Sequence, residues 1–512
     1  MKKYIKSSIC CFILTLLLTL PAQGGSAAVR SPGPQLADRP AVGNLNAYGP
    51  ASSIHYVSAP DLPGQSAIRI DVPEPSSGSQ PWDIAVAAVS TAQISKGDLV
   101  VAAFWVRSEQ GGKIVARMQS NDAPYAGISE STIALGKTWK LVLIKGVAQE
   151  TLPANHASLT LSLNLQKQVV DVGPMVVITN PTTTSDLPDR LRSLPLGGVF
   201  DTMVDVGNDV KLAVTMRVPA GKGPFPAVLQ ITGSGPWGRN PSDAVANALL
   251  ENGVAVVQFD KRGVGQSTGN YAQSSLDDRV SDVEALTGWL RSQPQVKGAR
   301  TGLVGASEGA LIAYKVAARQ KYVKFLVLLA PPALPISELG ILQNEYALRD
   351  AGAPEAQIAL NTSMLRAVAA AVQAASGDDD AVNRVKGALA PYIGRIFSQE
   401  EAATFAESFR NPGYRATYLY DPKCDLEKIR APVLALFGTV DHQVPAFENA
   451  AALKAALVAD KDVSVRILPG FNHIFQHAKL GTTAEWEQLK EPQASDPQLL
   501  SIVTGWVSKR TK

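Results

Sequence analysis

A serine between an apolar run and a helical stretch is the residue whose surroundings most favour chemistry in this chain. Ser307 stands at the centre of Gly305-Ala306-Ser307-Glu308-Gly309, after the apolar pair Leu303 and Val304. A nucleophile that must stand clear of a sheet takes a strained turn, which small neighbours permit. The helix that follows offers free N–H groups and a positive dipole end where negative charge develops. We predict that Ser307 is a nucleophile, and a serine that only caps the helix is the alternative.

A second run with the same spacing, Gly265 to Gly269, is not predicted to have this role. It has no apolar helix directly behind it, and it follows Asp260-Lys261-Arg262-Gly263. We predict that its Ser267 is structural in a glycine-rich turn, and that the preceding run forms a turn with a buried ion pair.

Ser307 needs a base, and the base needs an acid that orients it. When the serine follows one strand of a parallel sheet, the acid and then the histidine are expected later in the chain, each after a strand. Asp441 follows the predicted strand 433–437, and His473 lies in a glycine-bearing loop after the predicted strand 463–468. We predict that Asp441 orients His473 and that His473 is the base; a turn aspartate bonding its own backbone is the alternative for Asp441. Two other acids, which precede the strand, are weaker candidates: Asp421 and Asp425.

The oxygen that becomes negative during attack needs preorganised N–H donors. The backbone N–H of Glu308, directly after the nucleophile, is predicted as one donor. The backbone N–H of Ser234 is predicted as the other, because its loop, Gly233-Ser234-Gly235-Pro236, can approach the site closely. The sequence leaves the role of the Glu308 side chain open.

The elements that position these residues fall into two parts. At 512 residues the chain is expected to form at least two domains. Apolar and polar residues alternate with a period of two in the first part, as in Ile68 to Val72 and Leu159 to Leu165. This pattern predicts an antiparallel β-sandwich over 29–180, with one face of each sheet in a core.

From 197 onward, continuous apolar strands alternate with helices, which predicts an α/β domain with a parallel sheet buried on both faces. The polar, proline-bearing segment 181–196 is predicted to be a linker. Residues 331–425 have helical periods and no strong strand, so we predict a helical cap that covers the strand ends and shapes the substrate pocket.

The first 28 residues have the pattern of a secretory signal. Lys2, Lys3 and Lys6 are followed by an apolar run from Ile9 to Leu20 and by small residues at 26–28. We therefore expect cleavage and export to the periplasm or beyond, with an uncleaved membrane anchor as the alternative. Loss of the three lysines lowers the formal net charge from +3 to about zero, so neither nucleic acid nor, after cleavage, a membrane is expected as a partner.

Cysteine and histidine usage bears on metals and disulfides. Only Cys424 lies outside the predicted signal, so no internal disulfide is expected. The five histidines never show the spacing of a metal site such as HExxH, and we expect neither a metal nor a cofactor.

Three aromatic runs in the first part, Gln80 to Asp83, Ala103 to Ser108 and Thr138 to Lys140, resemble the jelly-roll carbohydrate-binding modules of secreted glycan-degrading enzymes. The resemblance implies a β-sandwich more firmly than it implies sugar binding. Trp82 and Tyr125 lie in turn-like contexts where a ring could stack on a sugar. The alternative is a structural domain that packs on the enzyme and shapes its entrance.

The second part resembles the serine esterases of the α/β-hydrolase superfamily, and more narrowly a bacterial esterase group with a helical cap. The matching runs are GSGP at 233–236, DKRGVGQSTG at 260–269, GASEG at 305–309, YDP at 420–422 and LPGFNHIFQ at 468–476. Gly238 departs from the pattern, because an aspartate would be expected before Arg239. That departure puts in doubt an acidic contact near the oxyanion loop.

The resemblance implies a hydrolase that cleaves a small-molecule or glycan-linked carboxylic ester through Ser307, His473 and Asp441. Two alternatives remain open. One is a serine peptidase of the aminopeptidase or acyl-peptide hydrolase type on the same fold. The other is a glycan-binding protein with an inactive hydrolase domain, against which the intact Ser307, Asp441 and His473 argue.

Overall fold

A computed structural model gives the fold. It describes residues 35–36, 41–50, 53–181, 188, 192, 197–458, 462–486, 488–489 and 492–512. The predicted signal at 1–28 and all but three positions of the predicted linker at 181–196 lie outside the described residues. In the part of the chain that is described, no helix is long and apolar enough to cross a membrane.

The chain divides into two compact units. Among the described residues, the first comprises those before 203 together with 215–222, and the second comprises those of 203–214 and 223–512. The predicted boundary assigned everything from 197 onward to the second part, whereas 197–202 belong to the first unit. The reason is hydrogen bonding within that unit: Val199 N donates to Ser66 Oγ over 3.1 Å, and Tyr56 N donates to Asp201 Oδ2 over 3.1 Å.

The first unit is built from antiparallel strands. Their bounds are β1 (Gln35–Leu36), β2 (Asn46–Tyr48), β3 (Ile54–Ser58), β4 (Ser66–Val72), β5 (Ala85–Val89), β6 (Leu99–Arg107), β7 (Gly112–Ser120), β8 (Gly127–Leu135), β9 (Lys140–Val147), β10 (Ala157–Ser162) and β11 (Gln168–Thr179). One sheet has the order β3-β4-β11-β6-β9, with β1 also paired to β11, and the other has the order β2-β5-β10-β7-β8.

The two sheets of this unit bury their apolar positions in a common core. Ile68 and Phe104 of the first sheet belong to the same buried cluster as Ile114 and Leu159 of the second. The period of two explains this arrangement, because every second side chain along a strand points to the same face. Two tryptophans of the aromatic runs differ in burial: Trp105 in β6 is 4% exposed, whereas Trp139, just before β9, is only partly buried.

The second unit alternates strands and helices around a parallel sheet. Two strands have residues in both units, β12 (Gly198–Asp205) and β13 (Lys211–Val218). The strands that follow them are β14 (Phe225–Ile231), β15 (Ala255–Phe259), β16 (Val296–Ala306), β17 (Leu326–Leu329), β18 (Val433–Gly438) and β19 (Val463–Leu468). The helices are α1 (Ala244–Glu251), α2 (Leu276–Ser292), α3 (Glu308–Arg319), α4 (Ile336–Asp350), α5 (Glu355–Gln373), α6 (Asp378–Leu389), α7 (Gln399–Ser408), α8 (Pro412–Tyr418), α9 (Lys423–Leu426), α10 (Ala446–Ala456), α11 (Thr483–Trp486) and α12 (Pro497–Thr511).

The order of the sheet is β12-β13-β15-β14-β16-β17-β18-β19. The six strands from β14 to β19 pair in parallel, as β15-β14-β16-β17-β18-β19. The central strands β17 and β18 are wholly buried, as expected when helices cover both faces. Because parallel strands end at one edge, the loops after β14, β16, β18 and β19 meet there.

Helices α4 to α9 form the insert between β17 and β18. Much of it has a core of its own, in which Val368, Val385 and Phe409 are fully buried. Hydrogen bonds join α4 to the loop after β18: Gln343 Nε2 donates to the carbonyl oxygen of Gln443 over 2.7 Å, and His442 Nδ1 lies 2.9 Å from Asp350 Oδ2. The insert is thus attached directly to the loop that bears Asp441.

Candidate active site

Ser307 occupies a strained turn between β16 and α3. Its φ of 52° and ψ of −119° lie where residues other than glycine are uncommon. A Cβ at Gly309 would lie 2.2 Å from the Ile231 carbonyl oxygen, so only glycine permits this approach of helix to sheet. The Ser307 side chain makes no capping hydrogen bond to α3, so the alternative of a helix-capping serine is wrong.

Asp441 and His473 are hydrogen-bonded to one another. His473 Nδ1 lies 2.9 Å from Asp441 Oδ2. The other carboxylate oxygen, Oδ1, accepts the backbone N–H groups of Gln443 and Val444 over 2.8 Å each. One carboxylate oxygen of Asp441 therefore organises the turn of that residue, and the other lies at the imidazole of His473. Asp441 is only 3% exposed, which shields this contact from water.

The loop that carries His473 is organised by its neighbour Asn472, which is fully buried. Asn472 Oδ1 accepts the backbone N–H groups of Ile474 over 3.1 Å and Gln476 over 2.9 Å. The His473 ring stacks beside Trp486, with the ring centroids 5.9 Å apart and the planes at 16°. Sequence reasoning missed both residues, although an asparagine in a glycine-bearing loop is a recognisable turn signal.

The other candidate acids are used elsewhere. Asp425 Oδ2 accepts the hydroxyl proton of Tyr420 over 2.9 Å, and its carboxylate lies 3.7 Å from Lys315 Nζ. Asp421 Oδ1 accepts the backbone N–H of Lys423 over 3.0 Å. Neither of them is brought to His473.

The loop after β14 runs directly beside Ser307. A Cβ built on Gly233 would lie 3.3 Å from Ser307 Cβ and 3.9 Å from Ser307 Oγ. Ser234 follows in this loop, and Glu308 is the first residue of α3. The two predicted N–H donors therefore lie on the two segments that flank the Ser307 side chain.

The acidic contact that Gly238 put in doubt is supplied by Asp260. Asp260 Oδ1 accepts the backbone N–H of Arg239 over 2.8 Å, and Oδ2 accepts from Arg239 Nη2 over 3.0 Å. A Cβ on Gly238 would lie 2.8 Å from Asp260 Oδ1, so a side chain at this position would crowd that carboxylate. Ser267 is structural as predicted, because its Oγ donates to the Asp260 carbonyl oxygen over 2.7 Å.

The predicted buried ion pair of the turn after β15 is formed by Arg262. Its Nε lies 2.6 Å and its Nη2 lies 2.8 Å from the two carboxylate oxygens of Asp282 on α2. The side chain of the preceding Lys261 is directed toward the turn that carries Ser307 instead. Its Nζ donates to the Gly233 carbonyl oxygen and lies 3.4 Å from Glu308 Oε1.

Comparison with known proteins identifies the family of the second unit. Residues 207–471, just over half of the chain, match the family model described as X-Pro dipeptidyl-peptidase (S15 family). Esterase EstD of Thermotoga maritima is 23% identical over 306 residues, which are 57% of this chain and 65% of that protein. An uncharacterized 31.7 kDa protein of Escherichia coli is 30% identical over 116 residues, or 23% of this chain and 41% of that protein. The chain thus spans less than two thirds of each of these relatives.

Solved structures of esterases show low similarity to this chain. An esterase of Pyrococcus furiosus has a TM-score of 0.38 and 16% identity, covering 61% of this chain and 91% of that one. Est1E of Butyrivibrio proteoclasticus, with ferulic acid bound, has a TM-score of 0.35 and 17% identity, covering 60% and 96%. From the family match, the chain is a hydrolase that belongs to the X-Pro dipeptidyl-peptidase (S15) family.

Proposed function

We propose that the protein cleaves carboxylic esters through Ser307, His473 and Asp441 by way of a covalent acyl-enzyme. The observation that carries the proposal is the 2.9 Å contact between Asp441 and His473, on loops that leave the same sheet edge as the strained turn of Ser307. A buried carboxylate that holds one ring nitrogen leaves the other nitrogen free for a proton.

In the first half of the reaction, His473 Nε2 takes the hydroxyl proton of Ser307 as Oγ attacks the ester carbonyl. Asp441 holds the Nδ1 proton and stabilises the imidazolium that forms. The tetrahedral intermediate places its negative oxygen toward the N–H groups of Glu308 and Ser234. It collapses when the alcohol leaves with the proton from His473. Water then attacks the acyl-enzyme through the same steps, which releases the carboxylic acid product and restores Ser307.

The second candidate is a peptidase, because the family is described as one that removes X-Pro dipeptides. An enzyme that releases dipeptides must recognise the free α-ammonium of its substrate, which calls for an unpaired carboxylate near the nucleophile. Glu308 is the acid beside Ser307, but its carboxylate lies 3.4 Å from both Lys261 Nζ and Arg279 Nε. A carboxylate already held by two cations is a poor partner for a third, which favours the ester.

A matched panel separates the two candidates. We expect p-nitrophenyl esters of short and long acyl chains to be turned over with higher kcat/KM than X-Pro p-nitroanilides. The sharpest comparison uses an ester and an anilide that carry the same acyl group, so that only the leaving group differs. Faster cleavage of the dipeptidyl anilide would reverse the order of the two candidates.

For the first unit we propose contact with a polysaccharide, so that the enzyme acts on glycan-linked esters. Trp82 is 60% exposed and Tyr125 is 52% exposed, and exposed rings of this kind stack on sugars. We expect the full chain to be retained on an insoluble polysaccharide and Trp82→Ala and Tyr125→Ala to weaken retention. Tyr48→Ala is the control, because Tyr48 is a similarly exposed ring, at 50%. Equal retention of all variants would favour a structural domain.

The same proposal includes export. Residues 1–28, which the structure does not describe, carry the basic, apolar and small-residue segments of a secretory signal. Mass spectrometry of the protein recovered outside the cytoplasm tests this directly, because a processed chain begins near residue 29.

A further inference from the structure

A buried cluster of charged groups lies behind the turn that carries Ser307, and the reaction as described so far does not use it. Lys261, which follows β15, has a side chain that is 4% exposed, and Glu308 at the start of α3 has one that is 13% exposed. Arg279 of α2 is also 13% exposed, and its Nε lies 3.4 Å from Glu308 Oε1. Buried charges cost free energy unless they are paired, so this grouping calls for an explanation.

The contacts of the cluster lead to the loop after β14. Lys261 Nζ donates to the carbonyl oxygen of Gly233, the residue immediately before the predicted donor Ser234. The hydroxyl oxygen of Tyr271 accepts the backbone N–H of Gly235, the residue immediately after Ser234, over 2.7 Å. The ring of Tyr271 is held in turn between the cations, with Lys261 Nζ 5.2 Å and Arg279 Cζ 5.3 Å from its centroid. Both peptide groups that flank Ser234 are therefore fixed by this cluster.

We propose that Lys261 is a positioning residue that ties the loop of Ser234 to Glu308, and so keeps the two backbone N–H donors in register for the developing oxyanion. The inference rests on the proposed function, because it requires an oxyanion at Ser307. It also assigns a role to the Glu308 side chain, which is to hold Lys261 while its own N–H faces the reaction. Preorganised donors stabilise a transition state only if their separation is fixed in advance.

The charge of Lys261 predicts that the rate of reaction at Ser307 depends on pH. Burial lowers the pKa of Lys261 to about 8, opposed by the carboxylate of Glu308 and reinforced by the guanidinium of Arg279. Tyr271 stays neutral in this range, because burial raises its pKa above the ordinary value. The ammonium is therefore present below about pH 8 and is lost as the pH rises through that value. The neutral amine can still donate to Gly233 but no longer attracts Glu308.

The test uses a fluorophosphonate probe, which requires no knowledge of the substrate. Ser307 Oγ forms a bond to phosphorus, fluoride leaves, and the serine proton passes to His473, while the phosphoryl oxygen takes the place of the oxyanion. For Lys261→Met we expect the maximal labelling rate to fall by roughly 100-fold, near the lower range for loss of one oxyanion donor. The probe concentration at half-maximal rate should change little, because the loop acts on the reacting oxygen.

Lys315→Met is the matched control. Lys315 is also a buried lysine, 10% exposed, but its partners belong to other parts of the chain: Asp277 at 3.5 Å, Asp425 at 3.7 Å and the ring of Tyr420 at 4.2 Å from its Nζ. The Lys315→Met variant should react with the probe at close to the wild-type rate. Its loss of thermal stability should be comparable to that of Lys261→Met. Equal labelling of Lys261→Met and wild type would overturn the inference.

The pH profile and a double variant separate positioning from charge balance. The wild-type labelling rate should decline as the pH rises through about 8, and this decline should be absent in Lys261→Met. A wild-type rate that stays constant through this range overturns the inference even if the variant fails to fold. In Lys261→Met/Glu308→Gln the stability should recover but the rate should stay low. A double variant that regains the rate of Glu308→Gln alone would mean that Lys261 only neutralises charge.

Failure of the proposed function gives a different result from failure of this inference. If Ser307 is not the nucleophile, Ser307→Ala labels as fast as wild type, or wild type does not label. If only the inference is wrong, wild type labels, Ser307→Ala does not, and Lys261→Met labels like wild type.

Discussion

Ser307→Ala is expected to lower kcat for ester hydrolysis by roughly 10⁴- to 10⁶-fold, with little change in KM. The alanine removes the only atom that attacks, while the small side chain fits the strained turn between β16 and α3, so the fold should survive. Residual turnover would come from the oxyanion donors and His473 acting on water. Single-turnover assays on the best ester of the matched panel measure this loss.

The control for this variant is Ser267→Ala, the serine at the centre of the other run with the same spacing. Ser267 bonds the Asp260 carbonyl oxygen and accepts the backbone N–H of Ala213 over 2.8 Å. Loss of the Ser267 hydroxyl should lower the thermal stability clearly and kcat only slightly. If Ser307→Ala kept full turnover while Ser267→Ala lost it, the two roles would have to be exchanged.

Asp441→Asn is expected to lower kcat by roughly 10⁴-fold, because the substitution imposes the wrong tautomer on His473. The backbone N–H groups of Gln443 and Val444 both point at one oxygen of this side chain. An asparagine must keep its carbonyl oxygen there, which turns its NH₂ group toward His473 Nδ1. Nδ1 then accepts a hydrogen bond, and the ring proton moves to Nε2, the nitrogen that should receive the serine proton.

Asp425→Asn is the control for this second variant, since Asp425 was an alternative acid and contacts Tyr420 and Lys315 instead. It should leave kcat close to the wild-type value. Fluorophosphonate labelling and ester turnover should fall together in Asp441→Asn, because both need the base. Near-normal turnover in Asp441→Asn, or a large loss of turnover in Asp425→Asn, would contradict the assignment of Asp441 as the acid.

The insert between β17 and β18 bears on this second prediction. Gln343 and Asp350 of α4 bond the loop that carries Asp441, through Gln443 and His442. His442 also stacks on Tyr346 of the same helix, with ring centroids 4.7 Å apart. The acid is therefore held from two sides, by its own turn and by the insert, which keeps its carboxylate at a fixed distance from the imidazole.

Much of the candidate site follows from short stretches of sequence. Ser307, Asp441 and His473 each lie within five residues after a strand, and the order of serine, acid and histidine leaves few combinations. The start of α2 is similar: Ser275 and Asp278 predict a capping box, and both of its reciprocal hydrogen bonds are present. Such features depend on residues that are close in the chain, so local patterns identify them.

Other features had no local signal. The strand β8 has only a weak apolar pattern, because it lies at the edge of its sheet and none of its side chains is fully buried. Asp260 supplies the contact that a residue at 238 was expected to make, across more than twenty positions of chain. The first unit also takes in 197–202, through hydrogen bonds to residues more than a hundred positions earlier.

The sequence by itself determined the alternation of strands and helices, the residues at the strand ends and the chemistry they can perform. Only the tertiary structure decided that Lys261 lies between Gly233 and Glu308, because this depends on β14 pairing with both β15 and β16 in the sheet. Periodicity and turn chemistry are properties of contiguous residues. The pairing of buried charges depends instead on which strand ends become neighbours, and strand order is fixed by packing over the whole sheet.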